Sequence, residues 1–163
     1  MIRLNVLGIK TSLLLLLIPE VALFGGIGNA QQKSDADNVK ATLDEFHAAQ
    51  STLDIRKMEE LWAHDAYVMY IGPRDKAITV GWDAVKKKWD ATLNFWTELK
   101  VTISDAPHLH INGGVAWADS IANVVGTPKN GPPVNGPTFE SIVLEKRGDR
   151  WLIVSDSTSR MPQ

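Results

Sequence analysis

The stretch Gly113–Thr127 reads Gly-Gly-Val-Ala-Trp-Ala-Asp-Ser-Ile-Ala-Asn-Val-Val-Gly-Thr. It predicts a β-strand, in which successive side chains point to opposite faces of a sheet. One face is small throughout: Ala116, Ala118, Ser120 and Ala122. The other face mixes apolar and polar side chains: Trp117, Asp119, Ile121 and Asn123. Because an unpaired buried polar group is costly, the mixed face is not an ordinary core face. It indicates a pocket wall or a subunit contact, or else a face open to water with one exposed tryptophan.

The first thirty residues are typical of a secretory signal peptide. A basic start with Arg3 and Lys10 precedes the apolar run Leu13–Ile18, and small residues lead to Ala30. Pro19 ends the apolar run, which is then too short to be a good membrane span. We therefore expect a secreted or periplasmic protein, cleaved after Ala30. The alternative is a leader that is retained as an N-terminal anchor.

The remainder, residues 31–163, has the length of one domain. Removal of the leader takes away two basic residues and one acidic residue, so the net charge changes from −2 to −3. This balance offers no basic footprint for nucleic acid. The chain has no cysteine, which excludes disulfides and thiolate metal sites. We expect no cofactor, no nucleic-acid partner and no membrane association after cleavage.

Apolar residues at helical spacing predict three helices. They lie at about 35–50, after a capping Asp54, and from Gly81 to Trp96. Predicted strands cover Ala66–Ile71, Ala77–Val80, a segment around Leu99–Ile103, Pro107–Ile111, Val115–Gly126, Thr138–Lys146 and Trp151–Ser159, with a loop at Thr127–Pro137. Helices come first and antiparallel strands follow, which favours an α+β domain with the helices on one face of a curved sheet.

Four segments carry a resemblance to a known family. They are Leu61–Val68, Gly81–Val85, Gly113–Ala118 and Gly148–Val154. In this order and spacing they resemble the SnoaL-like proteins, which share a cone-shaped fold with nuclear transport factor 2 and ketosteroid isomerase. The resemblance implies a single domain over 31–163, with three N-terminal helices packed on a curved, mostly antiparallel sheet around an apolar pocket. It also implies a homodimer. The family contains enzymes and non-enzymes, so the fold does not decide activity.

The resemblance allows one activity to be tested. Ketosteroid isomerases use a carboxylate base after the first strand, a helix 1 tyrosine and a protonated aspartate on a later strand. The matching positions here are Tyr70, Phe46 and, across a loop, a position near Glu140. A phenol with an ordinary pKa near 10 is a poor base at neutral pH. Two of the three roles are vacant, and we do not expect ketosteroid isomerase activity.

The last strand departs from the family pattern as well. SnoaL-like proteins often end it with Val-His-x-His, whereas this chain has Ser155 and Ser157 at the two histidine positions. The substitution removes a potential acid/base or metal-ligand pair. It leaves Asp156 as a weak substitute.

Asp119 and His47 are the first candidates for catalysis. An apolar setting would raise the pKa of Asp119 towards useful values, and His47 would face it across the cone as a histidine–carboxylate pair. The alternatives are a cross-strand hydrogen bond or ion pair for Asp119 and a partly exposed position for His47. His108 and His110 share a strand face, but no motif supplies a third metal ligand, so we expect exposed or structural histidines.

Further residues are candidates for binding a ligand, with a packed core as the alternative for the aromatic ones. They are Phe46, Trp62, Tyr67, Met69, Trp89, Trp117, Ile121, Asn123 and Glu140. The predicted function is binding of a small apolar molecule in the cone, with a cofactor-free isomerase or dehydratase type of acid/base activity. The alternative is a non-catalytic ligand-binding or dimerisation module.

Overall fold

The helices precede the long strands, as the sequence predicts. The computed structural model describes residues 24–161. Within this range the elements are α1 Phe24–Ser51, α2 Ile55–Leu61, β1 Met69–Ile71, β2 Thr79–Val80, α3 Trp82–Phe95, β3 Trp96–Ile103, β4 His108–Asn112, β5 Val115–Pro128, β6 Val134–Arg147 and β7 Arg150–Arg160. The predicted signal peptide lies outside the described residues up to 23, and 24–30 belong to α1. No helix among the described residues is long and apolar enough to cross a membrane.

One sheet contains all seven strands, in the order β2-β1-β7-β6-β5-β3, with β4 beside β5. β1 runs parallel to β7, and every other pairing is antiparallel. β5 is the central element because three strands pair with it: β6 along one edge, and β3 and β4 end to end along the other. The stretch Gly113–Thr127 therefore forms most of the strand that holds β3, β4 and β6 together in one sheet.

The two faces of β5 differ as its sequence predicts. Ala116, Ala118 and Ala122 are buried on the face that we call the inner face, against which the helices pack. α1 packs across this face and approaches the sheet at β3, where Ser51 of α1 accepts a hydrogen bond at its Oγ from the backbone of Val101 (3.0 Å). The opposite face is the outer face. The predicted α+β architecture, with helices on one side of a mostly antiparallel sheet, is confirmed.

The predicted caps and boundaries agree only in part. Asp54 caps α2, and its carboxylate accepts from two backbone N–H groups. The predicted loop Thr127–Pro137 is wrong over most of its length. β5 continues to Pro128 and β6 begins at Val134, because backbone pairing such as Gly126 with Val134 outweighs the turn preference of glycine and proline. The predicted strand Ala66–Ile71 is also too long, since its first residues form a turn before Met69.

Candidate functional site

A buried histidine–carboxylate pair joins α1 to the inner face of the sheet. His47 Nε2 lies 2.7 Å from Glu140 Oε2, and the two residues are only 7% and 4% exposed. The hydroxyl of Ser120, on the neighbouring strand, donates to the same oxygen at 3.4 Å. Because a carboxylate only accepts, Nε2 carries the proton that it shares with Glu140. The other ring nitrogen, Nδ1, is buried and has no hydrogen-bond partner among the described residues.

Asp156 is a second buried acid beside this pair. It is 1% exposed, and neither carboxyl oxygen has a hydrogen-bond partner in the part of the chain that the structure describes. Burial, and then the negative charge of Glu140, raise its pKa well above the ordinary value. Asp156 is therefore a candidate neutral acid. Buried polar groups without partners are rare in folded proteins, which marks this cluster as a functional candidate.

Tyr70 lies beside Asp156, since the two residues pair across β1 and β7. Its ring packs against the indole of Trp89, with centroids 4.7 Å apart. Burial and the charge of Asp156 raise the pKa of Tyr70 above its ordinary value. The phenol stays neutral and can act as a hydrogen-bond donor, but not as a base, in agreement with the expectation from the sequence.

A cavity of about 430 Å³ opens at the mouth of the cone. Its walls include Tyr70, Thr138 and Arg160. Thr138 and Arg160 form one cross-strand row on the inner face, and Glu140 lies in the next row. Same-face residues are about 7 Å apart along a strand, so the acid cluster begins one row below the cavity wall. Asp156 lies one row deeper, next to Tyr70.

The deep part of the cone is packed with aromatic rings. Phe46, Trp62 and Trp89 are fully or almost fully buried, and Phe46 meets Trp89 edge to face at 5.6 Å. They belong to the hydrophobic core and do not line the cavity at the mouth. Their placement corresponds to the packed-core alternative.

The structure brings His47 together with Glu140, whereas Asp119 lies on the opposite side of the sheet. Asp119 is exposed on the outer face, so the histidine–carboxylate pair predicted between it and His47 is not formed. The alternation that places Ser120 inward forces its neighbour outward. Trp117, Ile121 and Asn123 share that outer face with Asp119.

The remaining predicted ligand-binding residues lie away from the cone. Met69 is exposed. Tyr67 is exposed too, and its hydroxyl donates to Glu145 Oε2 at 2.7 Å. That hydrogen bond raises the pKa of Tyr67 to about 12. His110 stacks on Trp117 at 4.3 Å on the outer face. No group of three potential metal ligands occurs among the described residues.

The outer face carries a groove of about 460 Å³. Asp119, Ile121 and Phe139 contribute to it, together with serines of β6 and β7. Phe139 and Trp117 are 48% and 40% exposed, which is unusual for large apolar side chains. The mixed face of β5 is thus a surface that faces away from the helices.

Sequence reasoning gave Asp156 only a weak role, and it predicted an apolar pocket in the cone but not the residues that line the mouth cavity. Strict alternation gave no signal for Asp156, because from the buried Trp151 and Ile153 it assigns Ser155 to the inner face; an irregularity in the pairing of β6 with β7 at this point turns Asp156 inward instead. No local pattern in the sequence indicates which residues line this cavity. Its walls come from segments distant in sequence, around Gly72, Thr92 and Gly136.

Comparison with known protein families identifies the family of this chain. The model of the SnoaL-like domain matches residues 39–163. The chain belongs to the SnoaL-like domain family. No curated protein matches it.

Several solved structures share the fold. A candidate dehydratase of the nuclear transport factor 2-like family from Streptomyces avermitilis has a TM-score of 0.72 at 18% identity, covering 80% of this chain and 99% of its own. A candidate scytalone dehydratase from Novosphingobium aromaticivorans has a TM-score of 0.70 at 11% identity, with coverages of 82% and 89%. A candidate calcium/calmodulin-dependent protein kinase type II association domain from Thiobacillus denitrificans has a TM-score of 0.63 at 21% identity, with coverages of 76% and 94%. At these identities the likeness concerns the fold alone, and it is the nuclear transport factor 2-like fold.

Proposed function

We propose that this SnoaL-like protein is exported, binds a small apolar molecule in the mouth of its cone, and performs cofactor-free acid/base chemistry on it. The observation that carries the proposal is the buried cluster of His47, Glu140 and Asp156, which begins one cross-strand row below the wall of the mouth cavity. The cavity has the size of typical ligand sites. The likeness to candidate dehydratases agrees with this reaction class.

Two groups without a hydrogen-bond partner among the described residues, Nδ1 of His47 and the carboxyl of Asp156, have complementary chemistry. In the proposed mechanism Glu140 accepts the Nε2 proton of His47, which orients the ring and leaves Nδ1 as the nitrogen that takes up a proton from the substrate. Asp156 keeps its proton at a pH at which an ordinary carboxyl has lost it. One site thus holds a base and an acid whose environments separate their protonation states, the arrangement that acid/base catalysis needs.

Either of two reactions fits this pair. In an isomerisation, the base removes a proton from a carbon next to a carbonyl, and the acid returns a proton to another atom of the same molecule. In a dehydration, the base removes that proton while the acid protonates a leaving hydroxyl, which departs as water. Positioned groups of this kind accelerate proton transfer about 10²- to 10⁴-fold.

Deuterium exchange tests the base with simple ketones in place of the natural substrate. Small cyclic and aromatic ketones that raise the melting temperature of the protein are incubated with it in D₂O, and loss of the α-proton signal is followed by NMR. We expect exchange faster than in buffer, and a fall of about 100-fold or more for His47→Gln. His64→Gln is the matched control, since His64 is an exposed histidine on the far side of α2. Exchange of bound ketones at the buffer rate would exclude the catalytic part of the proposal.

The non-catalytic alternative rests on the outer face. Exposed Trp117 and Phe139 favour self-association through this face, and the filled aromatic core limits the space in the cone.

We propose a homodimer in either case, as the family resemblance implies. Light scattering of the mature protein at micromolar concentration tests this, and a monomer mass would contradict it. N-terminal sequencing of protein secreted by its host tests cleavage after Ala30.

A further inference from the structure

We propose that the ligand of the mouth cavity carries an anionic oxyacid group, such as a carboxylate or sulfonate, which Arg74 and Arg160 bind at the rim while its apolar body lies within. This inference rests on the proposed function, because it names the class of molecule that the same cavity takes.

The rim has an excess of positive charge. Three cationic side chains and one anionic side chain line the cavity: Arg74, Lys88, Arg160 and Asp75. Lys88 Nζ lies 2.5 Å from Asp75 Oδ1, and the backbone N–H of Gly72 donates to the other carboxylate oxygen at 2.9 Å. Asp75 is thus fully engaged and neutralises the lysine. Two guanidinium charges remain.

Neither guanidinium group has a hydrogen bond or ion pair with another described residue. Surface arginines commonly bind a neighbouring acid, as Arg147 does here with Asp65 at 2.9 Å. Two arginines at one cavity mouth, both exposed and without an acid, leave their planar donor groups available for an oxyanion. Guanidinium groups match carboxylate and phosphate-type geometry through paired N–H donors.

The parallel pairing of β1 with β7 brings the two arginines to the same end of the sheet. Ile71 and Ser157 are the last paired positions of the two strands. Both strands run in the same direction, and each arginine lies three positions beyond its paired residue. An element order in which β1 ran antiparallel would place them at opposite ends of the sheet.

The rest of the wall is apolar. The junction of α3 with β3 contributes Phe95 and Trp96, whose rings meet edge to face at 4.9 Å, and β5 contributes Val124. An occupant with a charged head at the rim and a hydrophobic body satisfies both regions. A purely apolar ligand would make no use of the two guanidinium groups at the rim, and a cationic ligand would meet like charge.

Two fluorescent probes with the same skeleton separate charge from hydrophobicity. 8-Anilinonaphthalene-1-sulfonate carries the anionic group, and N-phenyl-1-naphthylamine is the same molecule without it. We expect the sulfonate to bind the wild-type protein more tightly than the neutral amine. Arg74→Gln and Arg160→Gln should each weaken sulfonate binding roughly threefold to tenfold and leave amine binding unchanged. Arg56→Gln, an exposed arginine on α2 outside the cavity wall, is the charge-matched control and should change neither.

A second pair of variants assigns the bound probe to the cavity. Gly136 lies in the cavity wall, and a side chain added there meets open space, so Gly136→Trp should fill the cavity without strain in the fold. Gly114→Trp is its control, since Gly114 also meets open space but lies at the β4–β5 turn. Circular dichroism checks that every variant is folded. We expect the Gly136→Trp variant to bind neither probe and the Gly114→Trp variant to bind both probes as the wild type does.

The outcomes separate the two proposals. If both probes bind the cavity equally and the arginine variants change neither, the anionic class is wrong and the apolar site stands. If sulfonate binding survives Gly136→Trp, the probe lies elsewhere and the rim arginines are not its site. If neither probe binds, the ligand-binding part of the proposed function is wrong, and the anionic class is wrong with it.

Discussion

Replacing Asp156 with asparagine should change how the stability of the protein depends on pH. Burial and the charge of Glu140 raise the pKa of this carboxyl well above the ordinary value of 3.8. Above that value the unfolded chain loses the proton while the folded protein keeps it, so the free energy of unfolding falls as the pH rises. The fall is about 1.4 kcal/mol per pH unit and lasts until the pH passes the pKa of the folded state.

Asparagine has the same shape and does not ionise, so the variant lacks this fall. At pH 4 the two proteins should have similar stability, because each has an uncharged polar group in the same buried place. Above pH 4 the variant should gain about 1.4 kcal/mol over the wild type for each pH unit. With an m-value of about 2 kcal/mol/M, this is a difference of about 0.7 M in the urea midpoint per pH unit.

Urea unfolding at pH 4, 5, 6 and 7, followed by tryptophan fluorescence, measures the effect. Trp62 and Trp89 are buried in the core, so their fluorescence reports unfolding of the protein. Asp119→Asn is the matched control, because Asp119 is exposed on the outer face. Its curve should run parallel to that of the wild type. If the curve for Asp156→Asn is also parallel, the folded protein does not hold an additional proton at this residue, and Asp156 is not the acid of the site.

Three further substitutions and one control substitution test the fold and the assembly. Glu140→Ala removes the hydrogen-bond acceptor of the buried His47 and should destabilise the protein by about 1–3 kcal/mol in urea unfolding; an unchanged stability would contradict a buried hydrogen-bonded pair. Gly126→Ala should cost about 1–3 kcal/mol, because a Cβ there would lie 2.9 Å from a backbone oxygen and a tryptophan ring of β3. Gly114→Ala, in open space, should be close to neutral, and equal effects at both glycines would refute the packing argument. Trp117→Lys on the outer face should convert the proposed dimer to a monomer in light scattering, and an unchanged mass would exclude this face as the interface.

Local sequence patterns predicted most of the fold because the elements obey local rules. The carboxylate of Asp54 caps α2, and the alternation of β5 separates a small buried face from a large exposed one. The errors fall where long-range pairing decides. Thr127–Pro137 has the composition of a loop, yet its first two residues pair with β3 and its residues from Val134 onward pair with β5, and no local signal in the sequence contains that information.

The site was harder to predict because its members come from three distant parts of the chain. His47 and Glu140 are separated by 93 positions and meet at 2.7 Å only when α1 packs on β6. A histidine on a helix edge and a glutamate in a strand look like surface residues one at a time. Asp119 looked better in sequence, since it has apolar neighbours, but alternation gives those neighbours to the outer face.

The stretch Gly113–Thr127 therefore contributes to the site through the small size of its inward side chains. Its inward side chains, from Ala116 to Ala122, are too small to fill the space above the sheet, which leaves room for the imidazole of His47 to reach Glu140. A larger residue at Ala118 or Ser120 would separate the imidazole from the carboxylate and leave two unpaired polar groups in the core, which is strongly unfavourable. The chemistry resides on α1, β6 and β7, and the small face of β5 sets the distance at which those elements meet.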